Sequence, residues 1–188
     1  MAILIVVIAY FIGAVPTAYI AGRLLKGVDI REIGDGNAGA QNVFRQLGRR
    51  IGIAVGLIDA AKGSLAVLVA QAAGLSTFTV MLAGVAAVIG HNWPVYIGFR
   101  GGRGEATTIG AFLVVLTRPT LIAAPFVLLT LLRSRNVMAA SAVLLVLVVV
   151  LTWGLGLSGQ HFAYSIILPA LVGVTHYART RQKVIGSA

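Results

Sequence analysis

Cysteine is absent from this 188-residue chain, and acidic residues are scarce, with five Asp and Glu against 15 Lys and Arg. Without cysteine the chain has no disulfide framework, no thiolate metal site and no cysteine nucleophile. The three histidines and the few acids do not cluster in the sequence, so we expect no metal centre and no cofactor. A Gly-x-Ser-x-Gly elbow and a Gly-Lys-Ser/Thr loop are also missing, which removes support for an α/β-hydrolase or a P-loop nucleotidase.

What the chain has in abundance is apolar sequence. Hydrophobic residues make up 59% of it, charged residues only 11%, and the mean hydropathy is +0.96. These values are typical of an all-α integral membrane protein, and residues 1–188 are expected to form a single multi-pass domain. In a soluble protein the net charge of +10 would suggest nucleic acid, but the placement of the charges argues against that partner.

Seven apolar segments predict transmembrane helices: 2–22, 51–73, 77–98, 105–117, 119–132, 137–157 and 161–178. Basic residues follow the first, third, fifth and seventh segments, which predicts an N-terminus outside the cell and a cytoplasmic C-terminus. Only Arg118 and Lys62 break this bias. The fourth and fifth segments hold 14 residues each between flanking arginines, so five spans with a re-entrant hairpin would fit the same sidedness.

Two loops rich in glycine and arginine, Gly34–Arg50 and Gly98–Gly104, fall on the predicted cytoplasmic side. In the first loop, glycines allow backbone N–H groups to turn toward an anion. Asn37 and Asn42 add amide donors there, and Arg45 adds a guanidinium fork that suits phosphate oxygens. We therefore expect the two loops to converge on one anionic ligand.

The second loop repeats this chemistry. Gly101, Gly102, Arg103 and Gly104 directly precede the fourth apolar segment. Their amides are therefore predicted to lie at a helix N-terminus, where the helix dipole favours a bound phosphate. The competing interpretation is that such arginines anchor the chain to lipid headgroups, as we expect of Arg49, Arg50, Arg133 and Arg135.

Four titratable residues lie within or beside the predicted spans. His91 and His176 sit near cytoplasmic ends and are functional candidates, although a neutral histidine that packs between helices is the alternative. Asp59 and Lys62 are three residues apart and are predicted to pair on one helix face. A structural pair is the favoured interpretation, and ion coupling in a small transporter is the other. Tyr96 stands where a His-x4-Asp acyltransferase would have its aspartate, which disfavours a thioester donor.

At this point the chain resembles the bacterial acyl-phosphate:glycerol-3-phosphate acyltransferase family, known as PlsY, over nearly its full length. Ile30–Gly48 is similar to the first loop of that family and Gly90–Gly110 to the second, while Ser141 and His176 occupy positions that resemble its third region and C-terminal motif. The resemblance implies a seven-helix enzyme of the bacterial inner membrane with its active site facing the cytoplasm. Its substrates would be acyl phosphate and glycerol 3-phosphate, and its products lysophosphatidic acid and inorganic phosphate.

The loop chemistry and the resemblance together give a set of expected site residues, to which Asp35 is added as a possible general base. The expected catalytic residues are His91, Arg103, His176 and Asp35, and the expected substrate-binding residues are Asn37, Asn42, Arg45, Gly101, Gly102, Gly104, Thr107 and Ser141. We expect the arginines, asparagines and glycine amides to bind phosphate and the histidines to orient the head groups. The acyl chain would lie between helices, and no protein nucleophile is needed because acyl phosphate has a good leaving group.

Five positions depart from the family pattern: Asp35 replaces serine, Gln41 threonine, Arg103 lysine, Glu105 an apolar residue and Arg179 asparagine. Asp35 would repel a phosphate 4 Å away by about 4 kcal/mol at an effective dielectric of 20. It must therefore turn away, pair with an arginine such as Arg179, or serve a different acceptor. In the last case it would act as a general base or recognise a cationic or sugar-like molecule.

Overall fold

The protein is described by a computed structural model that covers residues 1–185, with side chains described through residue 180. Within this part all regular structure is helical. The α-helices are α1 Ala2–Ala14, α2 Thr17–Lys26, α3 Ala40–Gln46, α4 Arg49–Ala72, α5 Thr77–Asn92, α6 Glu105–Val115, α7 Thr117–Ser134, α8 Val137–Gly154 and α9 Gly159–Ile185, and Val95–Ile97 forms a short 3-10 turn. The predicted all-α class is confirmed.

Four helical segments of the described chain are long and apolar enough to cross a membrane: Ala2–Lys26, Arg49–Ala72, Thr77–Ile97 and Val137–Gly154. The fourth predicted span corresponds to α6, which is apolar but has only 11 residues. The predicted spans 119–132 and 161–178 lie within α7 and α9, which are both helical. Helix formation therefore follows the apolar pattern throughout, including the two short central segments.

The first predicted span, 2–22, is interrupted by Pro16, which separates α1 from α2. Proline disfavours helical geometry in the residue before it, and Val15 accordingly has φ −54° and ψ 114°. The Val15 carbonyl accepts hydrogen bonds from the Thr17 amide at 3.0 Å and from Nζ of Lys62 at 2.9 Å. The polar backbone that the break exposes is thus satisfied inside the protein.

Helices α4 and α6 approach closely because glycines face the contact. A Cβ on Gly63 would overlap the backbone of Thr107, and one on Gly110 would overlap the backbone of Ala60. Ser64 reinforces the contact by donating to the carbonyl of Gly110 at 2.8 Å. Small residues that let backbones meet are the usual means of helix packing in lipid.

A separate small apolar cluster holds the first loop against the helices. Its buried members are Ala18, Ile30, Ala38, Val43, Leu47 and Val55, contributed by α2, the loop itself, α3 and α4. In the structure this loop extends back from Gly34 to residue 28, because Gly27, with φ +68°, ends α2 in a left-handed conformation. Burial of Ile30 and Ala38 then ties both ends of the polar stretch down, so that its central residues face outward in a defined shape.

Candidate active site

Asn42 shapes the first loop from within. It is 1% exposed, and its amide nitrogen donates to the carbonyls of Ile30, Ile33 and Asn37 at 2.9, 3.0 and 3.1 Å. Its Oδ1 accepts the backbone N–H of Asp35 at 3.2 Å. Both ends of the amide are therefore engaged by the loop backbone. The predicted donation to phosphate is replaced in the structure by a scaffolding role.

Asp29 and Arg31 form a second internal support, which sequence analysis did not single out. The Arg31 guanidinium donates to Asp29 from Nε at 3.0 Å and from Nη2 at 2.7 Å, while its Nη1 donates to the Ile97 carbonyl at 2.8 Å. Hydrogen bonding from Arg31 lowers the pKa of Asp29 to about 2. Arg31 thus joins the first loop to the segment that follows α5. In the sequence, only the Asp-x-Arg spacing points to this ion pair.

The second loop lies along the end of α5. The Gly101 amide donates to the Asn92 carbonyl at 3.2 Å, and the Gly102 amide donates to the His91 carbonyl at 3.0 Å. These two N–H groups are therefore used by the protein, which corrects the prediction that they face an anion. Gly104, with φ +85°, then turns the chain into α6. The charged side chains that this loop contributes to the cleft are Arg100 and Arg103.

His91 lies behind this loop. It is 6% exposed, and its Nδ1 is 3.6 Å from Oδ1 of Asp59, which also pairs with Lys62 at 2.8 Å. The predicted Asp59–Lys62 pair is confirmed. A Cβ on Gly102 would overlap Nε2 of His91, so the imidazole and the loop backbone are in direct contact. This position supports the loop, and the predicted contact of His91 with substrate head groups stays a prediction.

An open cleft of about 790 Å³ lies between the first loop, the second loop and α9. The predicted convergence of the two loops is confirmed. Four arginines and two acids line the cleft: Arg31, Arg100, Arg103, Arg179, Glu32 and Asp35. The excess of positive charge favours an anionic ligand, and Trp93, Phe99 and Val174 add apolar surface on the same walls.

Asp35 and Arg103 face each other across the cleft. Oδ2 of Asp35 is 3.6 Å from Nη2 of Arg103, while Oδ1 of Asp35 accepts the backbone N–H of Asn37 at 3.1 Å. The expectation that Asp35 pairs with an arginine is confirmed. Buried polar atoms without a hydrogen-bond partner in the described chain include Nε of Arg103 and Oδ1 of Asn37. Both belong to residues that line the cleft.

Arg179 binds the backbone around the second loop and does not pair with Asp35. The suggestion that Arg179 neutralises Asp35 is therefore wrong. Its guanidinium donates to the carbonyls of Gly101 and Asn92. Arg179 lies on α9 directly after the predicted span 161–178 and lines the cleft together with Arg100 and Arg103. The end of α9 is thereby fixed beside the other cleft arginines.

Asn92 makes a second connection between α5 and α9. It is fully buried, and its Nδ2 donates to Oγ1 of Thr175 at 2.9 Å. Asn92 was not predicted as a site residue, because its place directly after His91 is the only feature of the sequence that points to it. Together with Arg179 it sets the distance between the second loop and α9, and so the width of the cleft.

Four other predicted site residues lie outside the lining of the cleft: Arg45, His176, Thr107 and Ser141. Arg45 is exposed on α3 and His176 is half-buried on α9. Thr107 is fully buried where α6 meets α4. Ser141 donates to Oε2 of Glu105 at 2.9 Å and so ties α8 to the first turn of α6. The contacts of all four residues with substrate stay predictions.

Comparison with known proteins gives a consistent result. Residues 3–185 match the family model described as glycerol-3-phosphate acyltransferase. Glycerol-3-phosphate acyltransferase 4 of Dehalococcoides mccartyi is 53% identical, over 97% of this chain and 98% of the relative. The glycerol-3-phosphate acyltransferase of a Synechococcus species, strain CC9902, is 36% identical over 98% of this chain and 92% of the relative.

Solved structures agree. The crystal structure of PlsY (YgiH), an integral membrane glycerol 3-phosphate acyltransferase, in its glycerol 3-phosphate form superposes with a TM-score of 0.86 at 31% identity, covering 98% of this chain and 92% of that one. Its lysophosphatidic acid form gives a TM-score of 0.83. The helices, the two cleft loops and these relatives together place the chain in the glycerol-3-phosphate acyltransferase family.

Proposed function

We propose that this membrane acyltransferase takes its fatty acyl group from acyl phosphate and transfers it to glycerol 3-phosphate in the arginine-lined cleft. The observation that carries the proposal is the convergence of Arg31, Arg100, Arg103 and Arg179 on one open cavity. Both substrates of this reaction carry a phosphate, and a cleft with this excess of positive charge suits two anions. The solved relative in its glycerol 3-phosphate form favours the same acceptor over the alternatives that Asp35 suggested.

The proposed chemistry needs no covalent enzyme intermediate. The acceptor hydroxyl oxygen bonds to the acyl carbonyl carbon, and the bond from that carbon to the phosphate oxygen breaks. Phosphate leaves with the electron pair and, in the net reaction, takes up the hydroxyl proton. Positioning of two anions and stabilisation of the negative charge that develops are the main tasks left to the protein.

Arg103 is the residue that we assign to phosphate contact. Its Nε is buried without a hydrogen-bond partner in the described chain, and its Nη2 is 3.6 Å from Asp35, beyond hydrogen-bond distance. A phosphate in the cleft would therefore gain charge-assisted hydrogen bonds that the protein itself does not supply. Asn37, which lines the same wall, is assigned to the same ligand.

His91 is assigned a positioning role. The buried Lys62, Asp59 and His91 connect the break between α1 and α2 to the back of Gly102. This arrangement holds the backbone that carries Arg103. The two charges of Asp59 and Lys62 are satisfied by each other and by the Val15 carbonyl, so ion coupling in a transporter receives no support from them.

We further propose seven transmembrane helices in the bacterial inner membrane, with the N-terminus outside and the cleft open to the cytoplasm. In this topology α1 and α2 together form the first span, and α4 to α9 form the other six. Support comes from the basic residues after alternate spans and from the loops that line the cleft, which belong to connections of the predicted cytoplasmic side. The acyl chain then reaches the cleft from between the helices.

The donor is tested with purified protein in detergent. Acyl phosphate, acyl coenzyme A and an acyl carrier protein thioester are each supplied with glycerol 3-phosphate, and the lipid product is identified by mass spectrometry. We expect lysophosphatidic acid and equimolar inorganic phosphate with acyl phosphate alone. Product from a thioester, with none from acyl phosphate, would contradict the proposal. Arg118→Gln, at an exposed arginine outside the cleft, is the matched control for substitutions of the cleft arginines and should retain activity.

A further inference from the structure

Three charged residues line the same cleft: Asp35, Arg103 and Arg179. We propose that Asp35 and Arg179 act as opposing determinants of the affinity for glycerol 3-phosphate, with Asp35 weakening and Arg179 strengthening the binding of its phosphate at Arg103. The inference rests on the proposed function, in which Arg103 contacts that phosphate. The three side chains together carry one positive charge.

The Asp35 carboxylate is fixed close to the proposed phosphate position. Oδ1 accepts a hydrogen bond from the backbone N–H of Asn37 at 3.1 Å. This contact orients the carboxylate so that Oδ2 faces Nη2 of Arg103, 3.6 Å away. At this distance the carboxylate attracts Arg103 without taking up its hydrogen bonds. Phosphate that binds Arg103 must therefore stay beside Asp35 or push it aside, and either event reduces the affinity.

Arg179 has the opposite effect. Its hydrogen bonds go to the carbonyls of Gly101 and Asn92, which are uncharged, and it forms no ion pair within the described residues. Its positive charge is therefore not cancelled by a carboxylate. Because Arg179 lines the same cleft as Arg103, this charge raises the potential at a phosphate bound there.

The test is the KM for glycerol 3-phosphate, measured at saturating acyl phosphate in three variants. Asp35→Ser should lower KM about tenfold and Arg179→Asn should raise it about tenfold, each a modest change in electrostatic free energy. Asp35→Ser combined with Arg179→Asn should return KM to within about threefold of the wild type, because opposite charge effects cancel.

Two matched variants separate charge at Arg103 from other effects. Glu32→Gln removes an acid from the same cleft, but Glu32 is exposed to solvent and its charge acts on Arg23 and Arg31, whereas the charge of Arg179 acts on Arg103. The effect of Glu32 at Arg103 is therefore screened, and KM for this variant should shift less than about threefold. Arg179→Lys keeps the charge and loses the guanidinium fork. A KM near the wild-type value in this variant supports the charge effect, whereas a rise equal to that of Arg179→Asn overturns it in favour of loop positioning.

The inference fails if Asp35→Ser raises KM, or if it reduces kcat with every acceptor while KM stays unchanged. The second result would identify Asp35 as a general base. Both results require an active wild-type enzyme, so they are distinguishable from failure of the proposed function, in which the wild type itself gives no product from acyl phosphate.

Discussion

Replacing Gly102 with alanine tests whether His91 and the second loop are packed as tightly as the site requires. A Cβ at this position would overlap Nε2 of His91 and lie 2.7 Å from its Cε1. An ordinary contact begins near 3.4 Å, so relief of the Cε1 contact alone requires a movement of about 0.7 Å, and relief of the overlap with Nε2 requires more than that. The ring is 6% exposed and faces Asp59, which leaves the loop as the part more free to shift.

The expected result is a large loss of activity with a moderate loss of stability. Overpacking of this kind costs roughly 1–3 kcal/mol, and a shift of about 1 Å in a group that positions substrate lowers activity by up to about 100-fold. We expect kcat/KM to fall roughly 10- to 100-fold in purified Gly102→Ala. Gly154→Ala is the control, because a Cβ there meets nothing within 4 Å.

The cause of the loss is checked by a double-mutant cycle. If the added methyl group acts by meeting His91, then Gly102→Ala should cost less than about threefold when His91 is already alanine. Wild-type activity in the single Gly102→Ala variant would refute the reasoning. An equal loss in both backgrounds would show that the methyl group acts on something other than the imidazole.

Three further predictions concern the supports of the site. Lys62→Met should lower the free energy of unfolding by about 3–5 kcal/mol because it leaves the buried Asp59 charge without its cation, and Asp59→Asn in the same chain should recover part of the loss in a detergent melt. Asn42→Ala should reduce kcat/KM and increase proteolysis of the first loop, since four hydrogen bonds are lost, and unchanged proteolysis would argue against the scaffolding role. Hydrogen bonding from Arg31 lowers the pKa of Asp29 from 3.8 to about 2, so its contribution to stability is complete above pH 4 and is lost as the pH falls toward 2. This contribution is about 1 kcal/mol once solvent screening is allowed for. In Asp29→Asn, the free energy of unfolding should no longer show the pH dependence that Asp29 causes.

The sequence predicted the helices and the meeting of the two loops because both follow from local patterns. Apolar runs specify helices in lipid, and basic residues after alternate spans place Gly34–Arg50 and Gly98–Gly104 on one side. The Asp59–Lys62 pair was predictable for the same reason, since residues three apart share a helix face. Pro16 also carried a visible signal, although the first span was predicted as one helix.

The partners of individual polar groups were not predictable, because they depend on which helices pack together. Arg179 reaches the carbonyls of Gly101 and Asn92, and Asn92 reaches Thr175, across about 80 residues of sequence. The composition of the second loop predicted that its glycine amides bind an anion. In the structure, the amides of Gly101 and Gly102 instead donate to carbonyls at the end of α5. Sequence composition identified the chemistry of the loop, whereas the tertiary contacts determine which of its groups remain available for a ligand.

The central claim, that Arg103 holds a substrate phosphate in this cleft, is tested most directly by substitution of that residue in purified enzyme supplied with acyl phosphate and glycerol 3-phosphate. Formation of lysophosphatidic acid should fall at least about 100-fold in Arg103→Ala and recover partly in Arg103→Lys, while Arg118→Gln remains near wild type. Undiminished product from folded Arg103→Ala would contradict the account.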